Sequence, residues 1–266
     1  MTTGLTKNHA RTIRSLAQKK FRDELGTFVV EGARLMLDAA ESDFELIEVF
    51  HTPEFAGDES GRALLERIAG KGVRVETVTA REMDGIAETV HTQGILGLVR
   101  RKTTNADSLL HAEGGSSVLV ALDAVSDPGN LGSIIRTCDW FGVNGVLIGR
   151  ASVDLYNPKV VRATMGGMFH LPVVEDVDLL PTMTKARELG YTVYVADASG
   201  ESHYDRLTFA SRSLIVFGNE AWGVSDQVRA LADVRVSIRR YGSAESLNVG
   251  VACGVILSGL HRLEDK

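Results

Sequence analysis

Apolar positions along this chain fall into short runs divided by polar turns, and their spacing switches repeatedly between a strand period of about two and a helix period of about 3.6. In the first hundred residues the pattern predicts a helix over 7–23, a strand Thr27 to Val30, a helix Gly32 to Ala40 and a strand Leu46 to Phe50. After the loop at 56–61 it predicts helix Arg62 to Ala69, strand Val73 to Thr77, helix Ala80 to Thr89 and strand Gly94 to Val99. Thr103 to Ser117 is rich in Thr, Asn, Asp, Glu, Gly and Ser and breaks the periodicity, so an interdomain linker is placed at about 103–116. The division that follows is a domain over 1–104 and a second over 117–266. In the second, strands at 118–122, 145–149, 192–197, 213–217 and 234–238 alternate with helices at 131–141, 157–165, 177–189, 224–231 and 247–263. That alternation predicts an α/β fold with a parallel sheet covered on both faces.

Three strand-to-helix junctions in this half are unusually polar. Val118 to Asp123 runs into the turn Asp127-Pro128-Gly129-Asn130 and a helix carrying Ile134, Ile135, Arg136, Cys138 and Phe141. Leu214 to Phe217 is followed at once by Gly218-Asn219-Glu220-Ala221-Trp222-Gly223. Ile238-Arg239-Arg240-Tyr241-Gly242-Ser243-Ala244-Glu245 leads through Ser246-Leu247-Asn248 into Val249 to Leu260, nearly all Val, Ala, Gly, Cys, Ile and Leu. Ser246 and Asn248 suit a helix start, because their side chains satisfy N–H groups that lack a helical partner. A helix apolar on every side is expected to be buried, in the core or against a second subunit. Functional groups of open α/β sheets gather at strand carboxyl ends, so the three junctions predict one composite site.

Asn130-Leu131-Gly132 with Arg136, Phe217-Gly218-Asn219-Glu220, and Ser246-Leu247-Asn248-Val249 closely resemble the three motifs of the SpoU/TrmH family of RNA ribose 2′-O-methyltransferases. The resemblance covers roughly residues 117 to 263 in order and spacing, and it implies the SPOUT fold with a C-terminal trefoil knot. Only the resemblance suggests a knot, because knots are too rare for a sequence pattern alone to predict. The segment Phe28-Val29-Val30-Glu31-Gly32-Ala33-Arg34-Leu35 resembles the L30e-like RNA-binding domain that many such enzymes carry at the N-terminus.

The resemblance implies S-adenosylmethionine as cofactor, held largely by main-chain groups of the loops at Gly218, Ile238 and Leu247, with Asn219 beside them. It assigns Arg136 the main catalytic role, often described as the base. Guanidinium stays protonated and offers no acceptor, so a clamp on phosphate and a stabiliser of the developing alkoxide suit Arg136 better, with an adjacent phosphate or Glu220 drawing the proton. That reading sets Arg136 at the start of a helix whose free N–H groups attract an anion. Asn130 either bonds the ribose or holds its turn, and turn chemistry is the stronger reading from residues alone. Glu220 either orients Arg136 or caps the helix after Gly218. Ser246 and Asn248 are likewise either site residues or caps; the resemblance moves all four toward the site. The chain departs from relatives where Pro-Met commonly follows the third motif's isoleucine, having Arg239-Arg240, and where Glu-Gly commonly follows Asn219-Glu220, having Ala221-Trp222. Two cations near a sulfonium weaken its binding unless they point outward; Trp222 is read first as a packing residue and second as a base-stacking one.

Composition narrows the class. The chain has 266 residues, 44% hydrophobic and 24% charged, as in ordinary globular proteins. It has no apolar run of the roughly 18 residues a membrane span needs and no signal-peptide core, so a cytoplasmic location without membrane contact is expected. Net charge is −6, which disfavours indiscriminate coating of nucleic acid. Basic residues cluster, however, at Lys7, Arg11, Arg14, Lys19, Lys20 and Arg22, at Arg100-Arg101-Lys102 and at Arg239-Arg240, which fits one structured RNA partner as well as a merely solvated helix face. Cys138 and Cys253 have apolar neighbours and no metal spacing, so they read as buried free thiols, and no metal is expected. His170 and His203 have no partner pattern and receive no task. The expectation is a homodimeric 2′-O-methyltransferase acting on structured RNA, more readily ribosomal than transfer RNA; a non-catalytic RNA-binding protein on the same scaffold is the alternative.

Overall fold

The computed structural model describes residues 5–111 and 115–260. By their contacts they form two units, Met1–Lys102 with Tyr156–His170, and Thr103–Leu155 with Leu171–Lys266. In the first, helices α1 (Lys7–Ser15) and α2 (Lys19–Leu25) precede β1 (Thr27–Glu31), α3 (Ala33–Glu41), β2 (Leu46–His51), α4 (Pro53–Gly57), α5 (Glu59–Gly70), β3 (Arg74–Thr77), α6 (Ala80–Ile86) and β4 (Ile95–Arg100). Its sheet runs β1-β4-β2-β3, with β4 antiparallel to both neighbours and β2 parallel to β3.

The single helix predicted over 7–23 is two. The Arg22 guanidinium, buried rather than on the outer face, donates to the carbonyls of Leu16 at 2.6 Å and Ala17 at 2.7 Å, satisfying α1's free C-terminal carbonyls where the chain turns. The cluster at 100–102 is also not a free basic patch: Arg100 pairs with Glu45 at 2.6 Å, Arg101 with Asp23 and Lys102 with Asp43. Lys7, Arg11, Arg14 and Lys20 remain on the exposed face.

The second unit opens with α7 (Ala106–Leu110), inside the expected linker, where Leu109 and Leu110 are buried in the core; 112–114 lie outside the described residues. Then come β5 (Ser117–Leu122), α8 (Pro128–Trp140) and β6 (Gly145–Gly149). The chain next makes α9 (Pro158–Ala163) and a single 3₁₀ turn, Gly167–Phe169, both in the first unit. There Tyr156 stacks 4.6 Å from Phe28 and donates its hydroxyl to the Lys102 carbonyl at 3.0 Å. His170 stands 3.7 Å from the buried Asp38 carboxylate.

Back in the second unit follow β7 (Val173–Val177), α10 (Leu179–Glu188), β8 (Thr192–Ala196), β9 (Ser202–His203), β10 (Arg212–Phe217), α11 (Asp226–Ala230), β11 (Val234–Ser237) and α12 (Val249–Leu257). The seven strands lie in the order β7-β6-β5-β10-β8-β11-β9 with every pairing parallel. The predicted α/β fold with a parallel sheet is present. β7 and β9 were not predicted, and both are edge strands, where an interrupting Glu175-Asp176 or a length of two residues is tolerated and weakens the apolar signal. Predicted helix 247–263 starts later, at Val249, and 261–263 lie outside the described residues.

From β5 the chain winds outward through β6 to β7, and its later strands lie on the other side. The carboxyl ends of β5 and β10 are therefore neighbours at a topological switch point, with Leu122 beside Phe217.

Candidate functional site

The loops leaving β5 and β10 are bonded to each other. Glu220 accepts from the Ser126 N–H at 3.3 Å and hydroxyl at 3.1 Å, the Asp127 N–H at 3.1 Å and the Asn130 side-chain amide at 3.0 Å. Asn130 in turn accepts from the Asn248 side-chain amide at 2.9 Å, and Asn248 caps α12 by accepting from Gly250 and Val251 N–H at 2.9 and 3.2 Å. Three residues from the three polar junctions thus form one hydrogen-bonded chain. Asp127 caps α8, accepting from the Asn130 N–H at 2.8 Å, with Pro128 in the first helical position where its missing N–H costs nothing.

This arrangement revises the role expected of Glu220. It caps neither the helix after Gly218, whose cap is Ser225, nor pairs with Arg136; it sits against the start of α8. Burial pushes its carboxyl up, but the Asn130 amide and the N–H groups of Glu220 itself, Asp127 and Ser126 outweigh burial and hold it at about 2. So acidic a group, with its oxygens engaged, is a poor proton acceptor. Ser246 does not cap α12, since Asn248 does. Arg136 is not at the helix start: α8 begins at Pro128, two turns earlier, and the side chain is exposed with no hydrogen bond or ion pair among the described residues.

Glu220 also lines a cavity of about 850 Å³, within the usual range for small-molecule sites. Its walls come from residues 196–199, 217–224, 238–240 and 244–247, with Arg229, Val236, Val249, Ala252 and Ile256. Gly218, Asn219, Ile238 and Leu247, all expected at the cofactor, line it, as do Glu220 and Ser246; Asn130 and Asn248 join it through hydrogen bonds. Asn219 is buried, donating to the Ala124 carbonyl at 2.7 Å and accepting from the Ala221 N–H at 2.8 Å, so its side chain braces the loops. A Cβ on Gly218 would lie 2.1 Å from the Gly223 carbonyl carbon, so this glycine is required by the loop's own closure. Trp222 does not pack in the core: it is 68% exposed at the cavity mouth. Arg239 and Arg240 line the same mouth on exposed residues.

Sequence reasoning missed the 196–199 wall. Asp197 there is braced by the Ser199 N–H at 2.9 Å and hydroxyl at 2.8 Å, and by Arg229 at 3.2 Å. Burial works against its charge, but these partners and Arg235 hold the carboxyl below its ordinary range. The signal was present: β8 ends in Ala196-Asp197-Ala198-Ser199-Gly200, the same strand-end turn pattern as the other junctions. Cys138 and Cys253 are free and buried, and burial, with the neighbouring Cys253, pushes the Cys138 thiol well up, so it is no nucleophile. Among the described residues no three His, Cys, Asp or Glu are grouped to hold a metal, and no helix is long and apolar enough to cross a membrane.

Residues 117–258 match the SpoU rRNA Methylase family, and 7–97 match the MRM3-like substrate binding domain. The chain is 29% identical over 211 residues to the 23S rRNA (guanosine-2′-O-)-methyltransferase RlmB of Neisseria meningitidis, covering 79% of this chain and 84% of that protein. It is 28% identical over 247 residues to the 23S rRNA guanosine 2′-O-methyltransferase RlmP of Bacillus subtilis, covering 92% of each. Among solved structures, the AdoMet-bound rRNA methyltransferase from Sinorhizobium meliloti superposes with a TM-score of 0.84 at 27% identity, over 98% of this chain and 96% of that one.

Proposed function

This chain belongs to the SpoU rRNA Methylase family, and we propose that it transfers a methyl group from S-adenosylmethionine to the 2′-hydroxyl of one ribose in a structured ribosomal RNA. The observation that carries the reading is the chain Glu220–Asn130–Asn248, which ties all three motif loops together and whose Glu220 lines a cofactor-sized cavity. The relatives in Neisseria and Bacillus, named for this reaction on 23S rRNA, support ribosomal over transfer RNA.

The cavity fits the cofactor. Apolar walls at Ile238, Leu247 and Val249 suit a purine, while the Gly218 to Gly223 loop, pinned by its own backbone bonds, offers main-chain groups without side-chain obstruction. S-adenosylmethionine supplies an activated methyl on a sulfonium. The protein's part is to align the ribose oxygen and to stabilise its growing negative charge. Arg136, exposed and without a partner among the described residues, is the cation for that charge and the adjoining phosphate. Asn130, its amide and carbonyl fixed by Glu220 and Asn248, holds the rim in place. Both Glu220 oxygens are engaged by Ser126, Asp127 and Asn130, so the hydroxyl proton is released to solvent rather than to Glu220.

We include in the reading the SPOUT trefoil knot, a cytoplasmic location with the RNA, no metal requirement and a homodimer through α12. Supporting the dimer, α12 packs on α8 on one side yet leaves Val251 51% exposed and Ala252 and Val255 half-buried. Calorimetry with S-adenosylmethionine and its demethylated product tests the enzyme reading: binding of both without metal is expected. No heat at millimolar cofactor would favour an RNA-binding protein that has lost catalysis, the reading to which Arg239 and Arg240 at the cavity mouth would then point.

A further inference from the structure

Trp222 stands at the apex of a pinned hairpin. The Asn219 N–H bonds the Gly223 carbonyl at 2.8 Å, the Gly223 N–H returns to Asn219 at 2.9 Å, and the Asn219 side chain clamps both Ala221 and the Ala124 carbonyl. Loops of this kind can bury a large aromatic, yet 68% of Trp222 is left to solvent. Gly223, at a φ of +73°, closes the turn with open space where a Cβ would lie, and among the described residues the apex is left exposed. Arg239 and Arg240, both exposed, line the same cavity mouth.

We propose that Trp222 is a stacking platform for an unpaired base of the RNA substrate, with Arg239 and Arg240, which line the same cavity, taking the backbone phosphates; this rests on the methyltransferase reading. A rigid aromatic next to cations is the chemistry that recognises single-stranded RNA, where every base offers a π-face and each nucleotide a phosphate. In a chain of net charge −6, two exposed arginines at this cavity supply local attraction for a polyanion. Because the hairpin is fixed before binding, stacking costs little ordering of the protein. The cofactor's adenine is the competing occupant, but it belongs with the half-buried and buried walls at Ile238 and Val249, whereas Trp222 and its neighbours Ala221 and Gly223 are exposed. Holding a base here fixes the strand next to the reacting ribose and makes Trp222 a positioning residue for substrate.

Trp140 is the other of the two tryptophans, so Trp140→Phe leaves Trp222 as the sole indole reporter. Binding of a single-stranded uridine 12-mer to that variant is expected to quench Trp222 emission, and an abasic ribose-phosphate 12-mer is expected not to. In methyl transfer to deproteinised ribosomal RNA, Trp222→Ala should raise the RNA KM by about tenfold with little change in kcat, while Trp222→Phe stays within about threefold of the parent. Affinity for S-adenosylmethionine should be unchanged in both. Equal quenching by the abasic oligomer, no quenching by either, an unchanged KM in Trp222→Ala, or loss of cofactor affinity in that variant overturns the proposal. If the parent transfers no methyl, the activity reading fails, and the quenching experiment, which needs no turnover, still decides the stacking.

Discussion

Asn248 donates its side-chain amide to the side-chain carbonyl of Asn130 at 2.9 Å, joining residues 118 positions apart in sequence. The bond couples the start of α12 to the start of α8, and through Asn130 to Glu220. Asn248→Ala removes both this bond and the α12 cap, so a loss of about 1–2 kcal/mol in stability is expected by denaturant unfolding. Asn130→Ala should cost a similar amount, and the double variant less than the sum, with a coupling of at least about 0.5 kcal/mol. Strict additivity would show the two asparagines acting independently.

Glu220 makes the stability of the site depend on pH in a defined direction. Its carboxyl falls from an ordinary value of 4.5 to about 2 in the fold, so its charge favours the folded state above about pH 4.5 and that contribution fades as pH falls toward 2. Solvent around this partly exposed group screens the effect to a fraction of what the shift alone implies. The difference in Tm between the parent and Glu220→Gln should be flat from about pH 8 to 5 and shrink below about pH 4.5. A difference that keeps its full size down to about pH 2 would mean that the carboxylate's hydrogen bonds do not hold its charge. Since Glu220 is not the base, the variant's pH–rate profile should keep the parent's shape even where its rate is lower.

Gly218→Ala puts a methyl group into backbone, 2.2 Å from the Val224 nitrogen, where no flexible side chain can yield. Overpacking of this kind typically costs about 1–3 kcal/mol, and here it also displaces the cavity wall, so cofactor affinity should fall with stability. Leu247→Arg, at a half-exposed wall position, should weaken cofactor binding with little change in Tm. Calorimetry and thermal unfolding on the same samples separate the two effects.

Arg136→Ala should abolish most methyl transfer, by about a hundredfold or roughly 3 kcal/mol, and leave cofactor affinity intact. Arg136→Lys discriminates the mode of action: severe loss indicates a planar bidentate clamp on phosphate, and substantial retention a point charge. Transfer at the parent rate by Arg136→Ala would remove Arg136 from the mechanism.

The half-covered α12 predicts a dimer by light scattering at low micromolar concentration, reduced to monomer by Val251→Glu. A monomeric parent would leave α12 a partly exposed helix of a single chain.

Most of the fold was legible because β5, β6, β8 and β10 are central parallel strands, buried on both faces and written as unbroken apolar runs. β7 and β9 were not, because edge strands need no such run. The polar junctions were visible as strand ends meeting Gly, Asn and Ser, but which side chains meet is a long-range fact. Nothing local in Asn130, Glu220 and Asn248 states that they bond one another rather than cap three separate helices. Trp222 was misjudged because residue type favours burial, whereas the Asn219–Gly223 bridge that lifts it to an exposed apex depends on backbone geometry. Charge clusters misled for a similar reason: Arg22, Arg100, Arg101 and Lys102 are basic in sequence, and their acidic or carbonyl partners come from elsewhere in the chain.

The most direct test of the central claim is incubation of the purified protein with methyl-labelled S-adenosylmethionine and unmodified ribosomal RNA, followed by nucleoside analysis of the product. The account predicts label in a single 2′-O-methylated nucleoside, on ribosomal but not transfer RNA, formed about a hundredfold more slowly with Arg136→Ala. Label on a base, on transfer RNA alone, or none at all with a protein that binds the cofactor would contradict it.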